Sequence, residues 1–247
     1  MNTTVKISSA IALLAGFAVA SVTGSAAAQP TREELAAKLK NVNAEDITES
    51  PLSGVYQIKA GSRIAYITDD GRYLFQGELY DLESSRNLTE ETRSASRVDM
   101  LAAVPANEMM IFAPANGESK HTITIFTDID CGYCRQFHRE IEQVNQLGIE
   151  VHYLFYPRTG PNTDSWAKAE KVWCIGEAER NSALTNAKLG GELPDEQCAD
   201  NPVAEHWELG HQIGVTGTPS VIAANGEVIG GYIAPNMLLQ RLESLSP

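Results

Sequence analysis

From residue 121 to residue 126 apolar and polar side chains alternate, ending in Ile125 and Phe126. Apolar residues then return at Phe137, Ile141 and Val144, on one face of a helix. The chain therefore passes from a strand into a helix at Cys131-Gly132-Tyr133-Cys134, with Cys131 at the helix N-terminus. Further strands are predicted over 109–113, 150–156, 220–223 and 228–232, the last two joined by the hairpin signal Asn225-Gly226. Helical stretches carry Trp166, Val172, Trp173 and Ile175, then Met237, Leu238 and Leu242 at the end. From Glu108 onward this order predicts a mixed α/β sheet covered on both faces.

The preceding region reads differently. Thr31 and Glu34 form a capping-box pattern ahead of Leu35 and Leu39, so a short helix is expected. Three strand-like runs follow, 55–59, 63–68 and 72–82, with turns at Gly61-Ser62 and at Asp69-Asp70-Gly71. A unit this small buries little surface alone and calls for a partner surface, which a second copy would supply. A helix over 87–104, stopped by Pro105, is polar all round in its first half, as expected of a helix crossing solvent between domains. The alternative is a peripheral helix packed on one domain.

The first 28 residues read as a secretory signal: Lys6 is a positive n-region, 11–22 is apolar, and Ala26-Ala27-Ala28 offers small residues for cleavage. The expected organisation is signal 1–28, small α+β domain 29–86, linker helix 87–105 and α/β domain 106–247. A net charge of −13 argues against nucleic acid as a partner, because phosphate binding needs basic patches. Four cysteines in an exported chain imply disulfide chemistry.

At a helix start, unpaired amides and the positive end of the macrodipole favour a thiolate, so Cys131 has the setting of a reactive cysteine. Half a zinc site also has the Cys-x-x-Cys spacing, but no two further ligands lie at short spacing, so metal is disfavoured and no cofactor is called for. A structural disulfide between Cys131 and Cys134 would constrain little chain. Cys174 sits in an apolar helical run and Cys198 in a polar segment; a bridge between them would act as a staple worth about 3 kcal/mol. Four cysteines nevertheless allow three pairings. Pro219, after Gly217-Thr218, marks a strand start or a turn, and the sequence leaves its isomer open.

The run from Phe126 to Cys134 (FTDIDCGYC), with Gly217-Thr218-Pro219, Asn225-Gly226 and Gly231-Tyr232, resembles the DsbC protein-disulfide isomerases of the Gram-negative periplasm. Tyr66-Ile67-Thr68-Asp69-Asp70-Gly71 and Gln76-Gly77 extend the resemblance into the first region. It implies a thioredoxin-like catalytic domain with a helical insert, a linker helix, and a cystatin-like N-terminal domain that pairs two copies into a homodimer. It also implies Cys131 and Cys134 as redox pair, Gly132 and Tyr133 within their motif, a cis bond at Pro219 with Thr218 beside the cysteines, and a Cys174–Cys198 disulfide. Two positions depart from the family pattern: Asp130 stands where threonine is expected, and Arg135 where histidine is expected. A carboxylate disfavours the neighbouring thiolate and a guanidinium favours it.

The implied activity is reshuffling of incorrect disulfides in exported proteins, with Cys131 as nucleophile, Cys134 as resolving thiol, Thr218-Pro219 holding the client backbone, and a DsbD-like membrane reductase as electron donor. Two rivals use the same chain differently: a dithiol oxidase that introduces disulfides, and a thiol-independent chaperone.

Overall fold

The computed structural model describes residues 29–245. The signal read over 1–28 lies outside them. Helix α1 (Arg32–Ala36) opens with the reciprocal cap expected of Thr31 and Glu34: the Thr31 hydroxyl accepts from the Glu34 amide, and the Glu34 carboxylate accepts from the Thr31 amide. Strands β1 (Ile47–Glu49), β2 (Val55–Ala60), β3 (Arg63–Thr68) and β4 (Leu74–Phe75) form an antiparallel sheet in sequence order. Leu35 of α1 packs with Ile47, Ile58 and Ile67 to make its small core. The β2–β3 turn is Gly61-Ser62, as predicted, and Gly61 has φ +62°, a conformation that favours glycine.

The predicted third strand over 72–82 is corrected by the structure. Only β4 pairs with β3; β5 (Tyr80–Asp81) instead pairs with β6 (Arg86–Asn87) in a separate ribbon. The Leu79 amide donates to the Thr89 hydroxyl, which turns the chain away from the sheet. The run resembles a strand because it is aromatic, yet Tyr73, Leu74 and Tyr80 are exposed, and Phe75, itself partly exposed, lies with its ring stacked on buried Tyr66.

Helix α2 (Leu88–Ala102) is capped by the Asn87 side chain. It does not cross solvent: Thr89, Ser96 and Arg97 are buried. Its polar groups are spent on backbone and side-chain partners from both sides. The Thr89 hydroxyl bonds the Tyr66 hydroxyl at 2.6 Å, and the Ser96 hydroxyl donates to the Gly61 carbonyl at 2.7 Å. Arg97 donates to the carbonyls of Ile213 and Gly226 and to Glu90. Ser62 completes the contact by donating through its amide and hydroxyl to the Gln212 carbonyl.

The second sheet has the order β11-β10-β8-β9-β7, built from β7 (Met110–Phe112), β8 (His121–Thr127), β9 (Ile149–Phe155), β10 (Ser220–Ala223) and β11 (Val228–Gly230). Strands β8 and β9 are parallel, while the other pairs are antiparallel. Helices α3 (Gly132–Arg139), α4 (Ile141–Gln146), α5 (Asp164–Cys174), α6 (Arg180–Lys188), α7 (Val203–Ile213) and α8 (Pro235–Leu245) surround it. Phe137, Ile141 and Val144 lie in one core with Ile123, Ile125 and Tyr153, although Glu140 breaks the predicted single helix into α3 and α4. A second core joins Phe126 and Tyr156 to Ile213 of α7. There Gly210 is required by the packing, because a Cβ would enter the Tyr156 ring.

Candidate active site

Strand β8 delivers the site. Its end carries Thr127, and the turn Asp128-Ile129-Asp130 leads to Cys131, the N-cap of α3. The turn is fixed by Asp128, whose carboxylate is 2% exposed. It accepts from the Asp130 amide at 2.8 Å, the Ser165 hydroxyl at 2.5 Å, and the Arg158 amide and Nε at 3.1 and 3.0 Å. Burial opposes the Asp128 charge, but Ser165 and Arg158 outweigh it and hold the carboxyl below its ordinary value.

Both thiols of the pair are free and nearly covered, Cys131 3% exposed and Cys134 1%. Their environments push them apart. The Cys131 thiol is 3.1 Å from the Thr218 carbonyl, and the Thr218–Pro219 peptide bond is cis. The Thr218 hydroxyl is buried without a hydrogen-bond partner among the described residues. Burial works against the Cys131 thiolate, yet Thr218, the Cys134 amide and thiol, and the Arg158 charge overcome it and bring the thiol below its ordinary value. Burial pushes the Cys134 thiol up, despite the opposing pull of Lys188, the Asp128 amide and the Thr127 hydroxyl.

Open space surrounds the position that a Cβ of Gly132 would take, so the helix start leaves the approach to Cys131 clear. Tyr133 is 64% exposed and its ring lies over Tyr232 at 6.4 Å. The Tyr232 hydroxyl in turn donates to Glu140 at 3.0 Å. Asp130, which departs from the family pattern, is not a free charge beside Cys131. Lys168 and Arg135 both bind its carboxylate, so the two departures form one ion-pair network.

Cys174 and Cys198 lie away from this site and are bonded to each other across 24 residues, with Cα atoms 5.4 Å apart. No group of three or more metal-ligating side chains occurs among the described residues. The structure thus brings Cys131, Gly132, Tyr133, Cys134, Thr218 and Pro219 to one end of β8 and β10, and leaves Cys174 and Cys198 on the helical insert. Sequence reasoning missed Asp128, Arg158 and Lys188. Lys188 had a readable signal: with Ala183, Leu184 and Ala187 it falls on the buried face of α6.

Residues 107–246 match the family of thioredoxin-like domains, and residues 21–90 match the disulfide bond isomerase protein N-terminal domain. The thiol:disulfide interchange protein DsbC of Haemophilus influenzae is 39% identical, over 88% of this chain and 93% of that protein. The chain belongs to the DsbC family. The DsbC of Escherichia coli K12 is 33% identical over 94% of this chain and 92% of its own length. The crystal structure of a disulfide interchange protein from Neisseria gonorrhoeae is also similar. It is 29% identical, with a TM-score of 0.50, and the match covers 57% of this chain and 97% of that one. Membership of the DsbC family makes the chain a thiol–disulfide oxidoreductase with a thioredoxin-like domain behind an N-terminal isomerase domain.

Proposed function

We propose that this protein reshuffles incorrect disulfides in exported proteins, with Cys131 as the attacking thiolate and Cys134 as the resolving thiol. The observation that carries the reading is the placement of the two sulfurs: Cys131 caps α3, 3.1 Å from the Thr218 carbonyl at the cis Thr218–Pro219 bond, which with its partners favours its thiolate, while Cys134 lies behind it, 1% exposed, where burial disfavours one. The Cys131 thiolate attacks one sulfur of a client disulfide, forming a mixed disulfide and expelling the other client sulfur as a thiolate. A second client thiolate then attacks the client sulfur of the mixed disulfide, which returns Cys131 and leaves the client reshuffled. If Cys134 attacks Cys131 instead, the Cys131–Cys134 disulfide forms and the client leaves reduced by two electrons. Thr218 and Pro219 line the sulfur and hold the client backbone, and exposed Tyr133 shapes the entry. The Cys174–Cys198 bridge serves only to staple the helical insert.

The domain division at 29–86, 87–105 and 106–247 goes with this reading. Two copies pair through the first domain. Tyr73, Leu74, Phe75, Tyr80 and Leu82 are exposed there, between 43% and 89%, and β4 is an unpaired sheet edge. The compartment is the periplasm, reached through the signal at 1–28, and the electron donor is a DsbD-like membrane thiol reductase. Among the described residues no helix is long and apolar enough to cross a membrane.

The test is reactivation of scrambled ribonuclease. Cys131→Ala is expected to abolish it, and activity surviving in that variant would remove Cys131 from the mechanism. The oxidase rival is separated by the steady-state thiol form in the periplasm, which is reduced for an isomerase and oxidised for an oxidase.

A further inference from the structure

Lys188 is 1% exposed, at the end of α6, and makes no ion pair among the described residues. An ammonium buried without a counter-charge costs several kcal/mol, so its surroundings must answer it in another way. The groups around its Nζ come from three elements. From β8, the Thr127 hydroxyl accepts its hydrogen bond at 2.8 Å, and Asp128 follows. From β9, the Tyr153 ring centroid lies 5.7 Å away. From α3 come Cys134, Cys131, His138 and Arg135. Thr127 is itself 1% exposed, and its hydroxyl, which accepts from Lys188, favours the charged form of the Cys134 sulfur. Lys188, Thr127 and Cys134 thus lie together as a buried group, joined by the Lys188–Thr127 hydrogen bond.

We propose that Lys188, acting through the Thr127 hydroxyl, stabilises the thiolate of Cys134 and so sets how fast Cys134 displaces a client from Cys131. This rests on the assignment of Cys131 and Cys134 as the exchanging pair. Lys188 is a positioning residue, since it touches no reacting atom. Burial lowers it to about 8, which leaves it charged at neutral pH, while Cys134, Asp128 and Cys131 pull it back up. The missing counter-charge appears when Cys134 gives up its proton to water. The thiolate then attacks Cys131 Sγ, the bond from Cys131 to the client sulfur breaks, and the client thiolate takes a proton from water. Two electrons pass to the client, the Cys131–Cys134 bond forms, and the proton count closes. A stronger Lys188–Cys134 interaction shifts the outcome towards reduction and away from reshuffling, because both branches compete for one mixed disulfide.

The test uses Lys188→Met, which exchanges a buried charge for an apolar chain of similar length, and Thr127→Val, which removes only the relay hydroxyl. In a Cys131→Ala background, titration of the Cys134 thiolate by its ultraviolet absorbance is expected to move up by about one unit in Lys188→Met. With both cysteines present, rapid-quench kinetics against a peptide disulfide should show the first attack within about twofold of the parent. Client release should slow about three- to fourfold, since a rise of about one unit costs about tenfold in thiolate while the higher nucleophilicity returns about threefold. Thr127→Val should slow release in the same direction. Unchanged Cys134 titration and unchanged release in Lys188→Met would overturn the proposal. A parent protein that makes no mixed disulfide at Cys131 would instead overturn the underlying assignment, and the proposal with it.

Discussion

Lys168 Nζ lies 2.8 Å from Oδ1 of Asp130 and 2.9 Å from Oδ2, so α5 reaches across to the residue that precedes Cys131. Arg135, one turn into α3, donates to the same Oδ1 at 2.8 Å. The carboxylate that should depress the reactivity of Cys131 is therefore neutralised from both sides. Asp130→Ala is expected to move the Cys131 thiol by less than about half a unit, because these partly exposed charges are screened. Lys168→Met uncovers part of the carboxylate and is expected to slow Cys131 alkylation at mildly acidic pH about two- to threefold. Thiolate absorbance in a Cys134→Ala background measures both.

Asp128 supports the same turn from inside. Asparagine there would present an amide N–H₂ in place of one carboxylate oxygen, towards either Ser165 or Arg158, and lose the charge-assisted bonds. Asp128→Asn is expected to destabilise the protein by about 3 kcal/mol. Its folded value is depressed, so its contribution is complete above the unfolded carboxyl value near ~3.9 and is lost as pH falls through the lower folded value. Urea unfolding of the two proteins at neutral pH gives the difference directly.

Two histidines set a second pH window. His138, between the Tyr153 and Thr185 hydroxyls, and His206, which accepts from the Phe155 amide, are each 2% exposed. Burial pushes them down to about 3 and about 4. Unfolded histidine titrates near ~6.5, so below that value the unfolded chain takes up protons that the folded one refuses. Stability is expected to be flat between about pH 6.5 and about pH 8, above which Lys188 begins to titrate in the folded protein, and to fall steadily from about pH 6.5 towards about pH 4. His138→Gln should flatten part of this slope in thermal melts.

The outward aromatic run of the first domain gives a fourth expectation. Phe75→Lys together with Leu74→Lys places charge on an exposed face and on the edge strand β4. The double variant is expected to convert the dimer to a monomer by light scattering while the α/β domain keeps its thermal transition.

Where local signals agreed with packing, the fold was legible. The hairpin Asn225-Gly226, the capping box at Thr31 and the strand-to-helix passage at Cys131 each carry their own chemistry in a few residues, and the structure places them accordingly. Errors arose where tertiary contacts decide. The segment 72–82 has strand composition, but its aromatics serve an outward face and its Leu79 amide is taken by Thr89. Helix α2 looked solvent-bound because the partners of its Thr89, Ser96 and Arg97, which are Tyr66, Gly61 and Gly226, are distant in sequence. Strand β1 is three residues long, too short for periodicity to register. In the site, the Cys-x-x-Cys pair and Thr218-Pro219 were legible as motifs. Asp128 and Arg158 were not, because a charged residue becomes part of a site only through the cavity that other elements close around it; Lys188 showed only its place on the apolar face of α6.

The division of labour between the two thiols can be tested by trapping. With Cys134→Ala, a disulfide-bearing client is expected to accumulate as a stoichiometric mixed disulfide, which mass spectrometry of the digest assigns to Cys131. With Cys131→Ala, no client should be found on Cys134. Client bound to Cys134 in the second variant, or none bound to Cys131 in the first, would contradict the account.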